Sequence, residues 1–426
     1  NEERTGKYLG KPVQVIPHLT DLIQKKIVEA GSKSDVHIVE IGGTVGDFES
    51  PAFVEAIREL GFKQGRHGAV FVHVVYAPYL GASGEFKTKP AQNAVRDLRA
   101  VGIMPDILAV RTESQPGKEI VTKTSMFSGV PEEAIVLLPN AKSIYQVPLT
   151  LEDSKIGDYI LDRLHIKAKK PENKDWKTMV DLALTKNRTK RRIAFVAKYL
   201  DNQDTYISVF EALRSAALWE EIDLDIDWID SEKLNSADQL KEYDGVLVPG
   251  GFGVRGAEGK IFAADWAYKS KTPYLGLCLG LQVAVIAAVR RQLGTKDVNS
   301  VEFDANTKNP VIYTMPDQLG KENTGGTMRL GDYDCKIDKK SKVYNLYKSQ
   351  NIVERHRHRY ECNNDYVDIL SQSGINIVGR NIEKNLVEII EAKDHPFYVA
   401  SQFHPEFKSR PVRPHPLFSG FIKALK

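Results

Sequence analysis

The chain has 426 residues, more than a single hydrophobic core accommodates, so two or more domains are expected. Its 59 Lys and Arg against 56 Asp and Glu provide no global field for nucleic acid or an anionic membrane, so any basic site must be local. Cys278, Cys335 and Cys362 are too few and scattered for a disulfide framework or Cys-rich zinc site, and no apolar run approaches the ~18 residues of a membrane span, which together point to a cytoplasmic setting.

The sequence opens Asn-Glu-Glu-Arg and soon enters what reads as the middle of a domain. A short strand is expected over 13–16, then a helix capped by Thr20 with Leu22, Ile23, Ile27 and Val28 on its apolar side. The apolar run 36–41 is expected as a strand that ends in a Gly-rich loop over 42–46. Doubly wound sheets bind ligands at such strand ends, and Glu40 there is a candidate for holding Mg²⁺ beside phosphates; a plain tight turn is the competing reading. Strands over 69–76 and 107–111 flank a helix over 90–101, the alternation of a parallel, doubly wound sheet. Lys87 and Lys89 precede that helix, with Pro90 in its first turn. Ammonium charges and helix N–H groups converge there as a candidate anion site, against the alternative of a solvated basic loop. Lys123, near another helix start, reads by itself as surface.

The Lys-rich stretch 166–192 reads as a linker with one short helix over 176–184. From 193 the alternation restarts, with strands over 193–197, 224–229 and 245–248 and helices over 206–217 and 260–269. The last strand opens into Pro249-Gly250-Gly251-Phe252-Gly253, where a backbone N–H near Gly251, paired with that of Leu279, would form an oxyanion hole. The run 273–282 contains Gly276-Leu277-Cys278-Leu279-Gly280 and reads as a strand turning sharply into a helix, with Cys278 at the apex and glycines permitting close backbone approach. A thiolate there would be favoured by the positive helix end, whereas a buried structural thiol is the alternative. A Cys nucleophile needs a base and an orienting group. After the apolar run 397–402, His404 and Glu406 lie two apart; on extended chain they point the same way, so Glu406 would hold the imidazole towards Cys278. Alternation over 355–360 would put three Arg on one face and His356 and His358 on the other. That suits a carboxylate clamp better than a metal cage, with Arg359 taking a substrate carboxylate.

With these motifs assembled, the chain resembles the CTP synthase family. The resemblance rests on Tyr8-Leu9-Gly10-Lys11, the stretch 39–47, Lys87-Thr88-Lys89-Pro90, and the stretches 249–253, 325–331, 354–361 and 402–407. The glutaminase motifs alone specify class I amidotransferases; 39–47 together with Lys-Thr-Lys-Pro specifies the synthase. The resemblance implies an α/β fold of two doubly wound, mainly parallel domains: a partial amidoligase domain over 1–165, the linker over 166–192, and a class I glutaminase domain over 193–426. It implies that Cys278, His404 and Glu406 hydrolyse glutamine through a γ-glutamyl thioester, with Gly251, Leu279, Gly280, Leu281, Gln282, Glu302 and Arg359 holding the amino acid. Ammonia would pass internally to the first domain, where ATP phosphorylates O4 of UTP and ammonia displaces the phosphate. Lys87, Thr88, Lys89, Pro90, Ala91, Gln92 and Lys123 would line the UTP site; Glu40 would hold Mg²⁺; Asp47, Phe48 and Glu49 would contact inhibitory CTP; Arg255 and Glu258 would contact activating GTP. It also implies a homotetramer, filaments in some members, and neither nucleic acid nor membrane as partner. The family's ATP-binding Gly-rich loop, with its Lys and a Mg²⁺-sharing Asp, falls ahead of residue 1, so a synthase-dead fragment serving as glutaminase or assembly module is the alternative. Pro51 and Ala91 are smaller departures from the family's usual pattern.

Overall fold

The computed structural model describes residues 3–198, 203–314 and 328–425; Gly325, Gly326 and Thr327 of the family-like stretch lie outside them. The chain divides into two compact units, Asn1–Val180 and Asp181–Lys426.

In the first unit, strands Val72–Tyr76, Ile107–Thr112 and Ile135–Pro139 form a parallel sheet in that order. The central strand is apolar on both faces because both are covered: Ile107, Leu108, Ala109 and Val110 are all buried. Helix Lys89–Ala100 turns Ala91 and Val95 into the same core, and its first turn holds Pro90, as the sequence leads one to expect. The run 36–41 departs from expectation. It is irregular and exposed, with Ile38 87% accessible. A β-branched run becomes a strand only when a neighbour accepts its ladder hydrogen bonds, and no described strand pairs with it. Likewise 13–16 forms no strand; Val15–Leu19 is a distorted helical turn leading into helix Thr20–Gly31. Helix Lys174–Leu184 begins within the stretch read as linker, and there Trp176 donates its indole N–H to the Tyr145 carbonyl at 2.8 Å.

The second unit is built on a nine-stranded sheet. From one edge its order is Asn351–His358, Arg329–Ile337, Ile375–Arg380, Val387–Ala392, Tyr398–Ser401, Tyr274–Leu277, Gly245–Val248, Thr189–Ala197 and Ile222–Asp230. The last five run parallel, and the first four add an antiparallel extension. Thr189–Ala197 begins inside the supposed linker, so the sheet takes up its last residues. One core contains helix Leu279–Leu293 and the other helix Ile207–Trp219, with the sheet supplying side chains to both. Three neighbouring parallel strands, Gly245–Val248, Tyr274–Leu277 and Tyr398–Ser401, end at the same sheet edge, and their carboxyl ends carry the three segments singled out from sequence.

Candidate active site

At the end of strand Tyr274–Leu277 the backbone turns within one residue. Cys278 adopts φ 53° and ψ −98° and caps helix Leu279–Leu293. Such a positive φ is strained for a residue with a β-carbon, and such strain clusters at functional sites. Space explains the glycines. A β-carbon on Gly276 would lie 2.7 Å from the backbone of Gly280, and one on Gly280 would lie 2.3 Å from the Val248 carbonyl oxygen. The turn is anchored from the next strand by the Cys278 N–H, which donates to the Ser401 carbonyl at 2.7 Å.

His404 follows Ser401 by three residues, and its N–H donates to the Arg355 carbonyl at 2.8 Å. Its Nδ1 is 2.7 Å from Glu406 Oε1, and its ring stacks on Phe407. The spacing suggests this pair on extended chain. Instead the 3₁₀ turn Pro405–Lys408 brings the two side chains together, since Pro405 can begin a helical turn but not continue a ladder. Nε2, buried and otherwise without a partner among the described residues, is left to the Cys278 thiol. Gly250 packs against both groups: a β-carbon there would be 2.7 Å from His404 Cε1 and 3.6 Å from Cys278 Cβ. Burial acts to lower the His404 pKa, but the Glu406 carboxylate and Cys278 outweigh it and hold the value well above 6.5.

The Pro-Gly-Gly-Phe-Gly loop closes the other side. Gly251 lies beside Leu279, where a β-carbon would meet Leu279 Cδ2 at 3.4 Å and Lys260 Nζ at 3.7 Å. The Gly253 N–H donates to Glu302 Oε1 at 2.6 Å, and Lys198 Nζ donates to the Phe252 carbonyl. Burial raises the Glu302 pKa, while the Gly253 N–H, Lys198, Arg359 and Lys260 oppose it, so these positive groups lie around one carboxylate. Lys260 carries no motif in the sequence. Its Nζ is fully buried without a hydrogen-bond partner among the described residues, and burial, then Lys198, push its pKa down to about 8. Its one sequence signal is its place at i with Ala263, Ala264 and Ala267 at i+3, i+4 and i+7, a lysine on an otherwise apolar helix face.

Exposed Arg355 and Arg357 alternate with buried His356 and His358, as strand alternation requires; the strand ends at His358, so Arg359 lies at a bend beyond it, partly buried, and strand alternation does not place it with the other two arginines. Behind them Arg329 bridges Glu361 at 3.1 Å and Glu388 at 2.8 Å. Burial raises the Glu361 and Glu388 carboxyls above their ordinary range, and the Arg329 guanidinium between them opposes the shift. Leu281 is enclosed in the core, and Gln282 is buried with its amide nitrogen 3.1 Å from the Tyr360 carbonyl, so Leu281 can reach a ligand only through its backbone. Arg255 pairs with Glu232, and Glu258 pairs with Arg290 through two contacts of 2.7 and 3.0 Å.

In the first unit, Glu40, Asp47 and Glu49 line one cavity of about 260 Å³ together with Gly42, Gly43, Ser50 and Phe53, while the Phe48 ring projects fully into solvent. No group of three potential metal ligands converges among the described residues. Mg²⁺ characteristically uses one or two carboxylates plus substrate phosphates, so exposed Glu40 on a cavity rim fits that demand. Lys87 pairs with Glu85, and Lys123 acts on the same carboxylate, so these two lysines are neighbours. Lys89, Pro90 and Gln92 stay accessible. Thr88 and Ala91 are buried; Thr88 accepts a hydrogen bond from Gln92 at 2.9 Å, and neither presents its side chain outward.

The family described as CTP synthase N-terminus matches residues 1–166, and class I glutamine amidotransferase matches residues 202–424. A CTP synthase of Caldanaerobacter subterraneus is 48% identical over all of this chain and 80% of its own length, and one of Methanosphaera stadtmanae is 47% identical at the same coverage. The solved glutaminase domain of a Trypanosoma brucei CTPS with bound acivicin is 39% identical, covers 55% of this chain and 93% of its own, and superposes with a TM-score of 0.52. A fold of two α/β units, family matches to both parts and near-half identity along the chain have one consequence: the chain belongs to the CTP synthase family, glutamine-dependent ligases that make CTP.

Proposed function

We propose that Cys278, His404 and Glu406 are the glutaminase triad and that the ammonia they release aminates UTP in the first domain. The observation that carries this reading is the convergence on one sheet edge of a strained Cys at a helix start, a buried imidazole whose Nδ1 is held by Glu406, and the Gly250–Gly251 loop. The thiol proton passes to His404 Nε2, and the sulfur electron pair attacks the γ-carboxamide carbon of glutamine. The N–H groups near Gly251 and Leu279 stabilise the oxyanion. Its collapse breaks the C–N bond, His404 returns the proton to the leaving nitrogen, and ammonia departs from a γ-glutamyl thioester. Water, deprotonated by His404, then releases glutamate and restores the thiol.

Arg359 takes the substrate carboxylate, with Glu302 beside it and Gly280, Leu281 and Gln282 forming the floor. In the first domain, Lys87, Lys89, Pro90, Gln92 and Lys123 receive UTP, while Thr88 and Ala91 set the shape of that turn from within. Glu40 holds Mg²⁺, which supplies charge neutralisation at the ATP phosphates. Asp47 and Glu49 at the cavity, with Phe48 beside them, contact CTP. Arg255 and Glu258 are assigned to GTP, which must displace their present ion pairs. The protein works in the cytoplasm as a homotetramer. The solved relative holds acivicin in its glutaminase domain, and the same compound is expected to block this one. Glutamate release from glutamine tests the triad: Cys278→Ala is expected to reduce it to background, and hydrolysis persisting at the parental rate would sink the assignment.

A further inference from the structure

Gln402 lies directly beneath the proposed nucleophile. It is fully buried, as are Cys278 and Gln282 to within 2%. Its side-chain nitrogen is 3.8 Å from Cys278 Sγ, within reach of an N–H···S hydrogen bond. Which end of the amide faces sulfur follows from the chain of contacts behind it. The Tyr360 carbonyl can only accept, so the Gln282 amide atom 3.1 Å from it must be the NH₂. That same nitrogen lies 3.4 Å from the Gln402 amide, so Gln402 must present its oxygen there. Its NH₂ is then the end turned towards Cys278. Reversing either amide would set two donors or two acceptors against each other in a site where burial makes unmet hydrogen bonds costly.

We propose that Gln402 is a catalytic residue of glutamine hydrolysis, donating an N–H to Cys278 Sγ and so favouring the thiolate and aiming it, with Gln282 and the Tyr360 carbonyl as its positioning groups. This rests on the assignment of Cys278 as nucleophile. The donor differs in kind from the N–H groups near Gly251 and Leu279, which face the developing oxyanion; Gln402 faces the attacking atom. Hydrogen bonds to an ionised partner are stronger than neutral ones, so the contact strengthens as the thiol loses its proton. It complements His404, which receives that proton. The backbone fixes the amide in place, because the Gln402 N–H is tied to the Glu388 carbonyl at 2.8 Å and the preceding Ser401 carbonyl accepts the Cys278 N–H.

The charged groups around the thiol are His404 with Glu406 behind it, Lys198 and Lys260 at Gly251, Glu302 with Arg359 near it, and the Arg329, Glu361, Glu388, His356 and His358 cluster, in which Glu388 is tied to Gln402 through the backbone. Replacing a neutral amide leaves all of these in place. The test is the pH dependence of Cys278 alkylation by iodoacetamide, read on its own peptide by mass spectrometry without glutamine. Cys335 and Cys362 are buried, burial pushes both thiols up, and reading the Cys278 peptide alone keeps them out of the signal. In Gln402→Met, which keeps length and loses the donor, the alkylation midpoint is expected to rise by about one pH unit, a tenfold change in thiolate fraction, and kcat to fall about tenfold with KM little changed. Should the Met variant not fold, Gln402→Asn, which withdraws the donor by one methylene, must show the same direction. A folded variant with unchanged midpoint and kcat overturns the proposal. The alkylation arm does not depend on turnover, so failure of Gln402 as donor and failure of Cys278 as nucleophile give different results.

Discussion

At the residue scale the decisive group is Glu406. Burial alone would leave His404 neutral and weakly basic, yet Glu406, 2.7 Å away, and Cys278 hold its pKa well above 6.5. That elevation has a stability consequence of definite sign. The folded state binds the proton more tightly than the unfolded chain, so the stabilisation is full below about pH 6.5 and is lost as pH rises through the folded value. In Glu406→Gln the imidazole reverts to the influence of burial and titrates lower. Denaturant unfolding of parent and variant is therefore expected to differ most at pH 6 and to converge as pH rises. Glutamine hydrolysis at pH 7.5 should fall about a hundredfold, the usual weight of a positioned base. Equal pH dependence in the two proteins would mean that Glu406 does not set the charge of His404.

At the element scale the elbow depends on packing. The turn at Cys278 exists because helix Leu279–Leu293 approaches strand Gly245–Val248 so closely that Gly280 has no room for a β-carbon. Gly280→Ala would press that carbon against the Val248 carbonyl, a backbone atom that cannot swing aside. We expect a loss of about 3 kcal/mol in unfolding free energy and at least a hundredfold loss of glutamine hydrolysis, because a shift of about 1 Å at a nucleophile costs that much. Normal activity with a normal melting temperature would contradict the close approach.

Elements also divide what a sequence discloses from what it hides. The motif 276–280 is legible because glycines two residues either side of a Cys have one good steric use, and helix Lys89–Ala100 is legible because Pro90 marks its first turn. The arginine and histidine faces of 355–358 follow from strand alternation alone, whereas Arg359 sits past the strand end, where alternation no longer sets its direction. The run 36–41 misleads, since β-branched residues promise a strand but only a pairing partner delivers one. His404 and Glu406 meet through a 3₁₀ turn rather than extended chain, a local detail that their spacing does not fix. Gln402 meets Cys278 across 124 positions of sequence, and Lys260 meets Lys198 and Glu302 from other elements; no local pattern reports such meetings.

At the scale of the whole molecule, the two units have separate cores, and the proposed function assigns ammonia release to the second and nucleotide chemistry to the first. On this proposal the nitrogen for CTP is made at Cys278 and used elsewhere. This is tested most directly by CTP formation from ATP and UTP in the protein carrying Cys278→Ala, with glutamine or ammonia as nitrogen source. Ammonia is expected to support CTP formation there and glutamine is not; CTP formed from glutamine at the parental rate would contradict the claim.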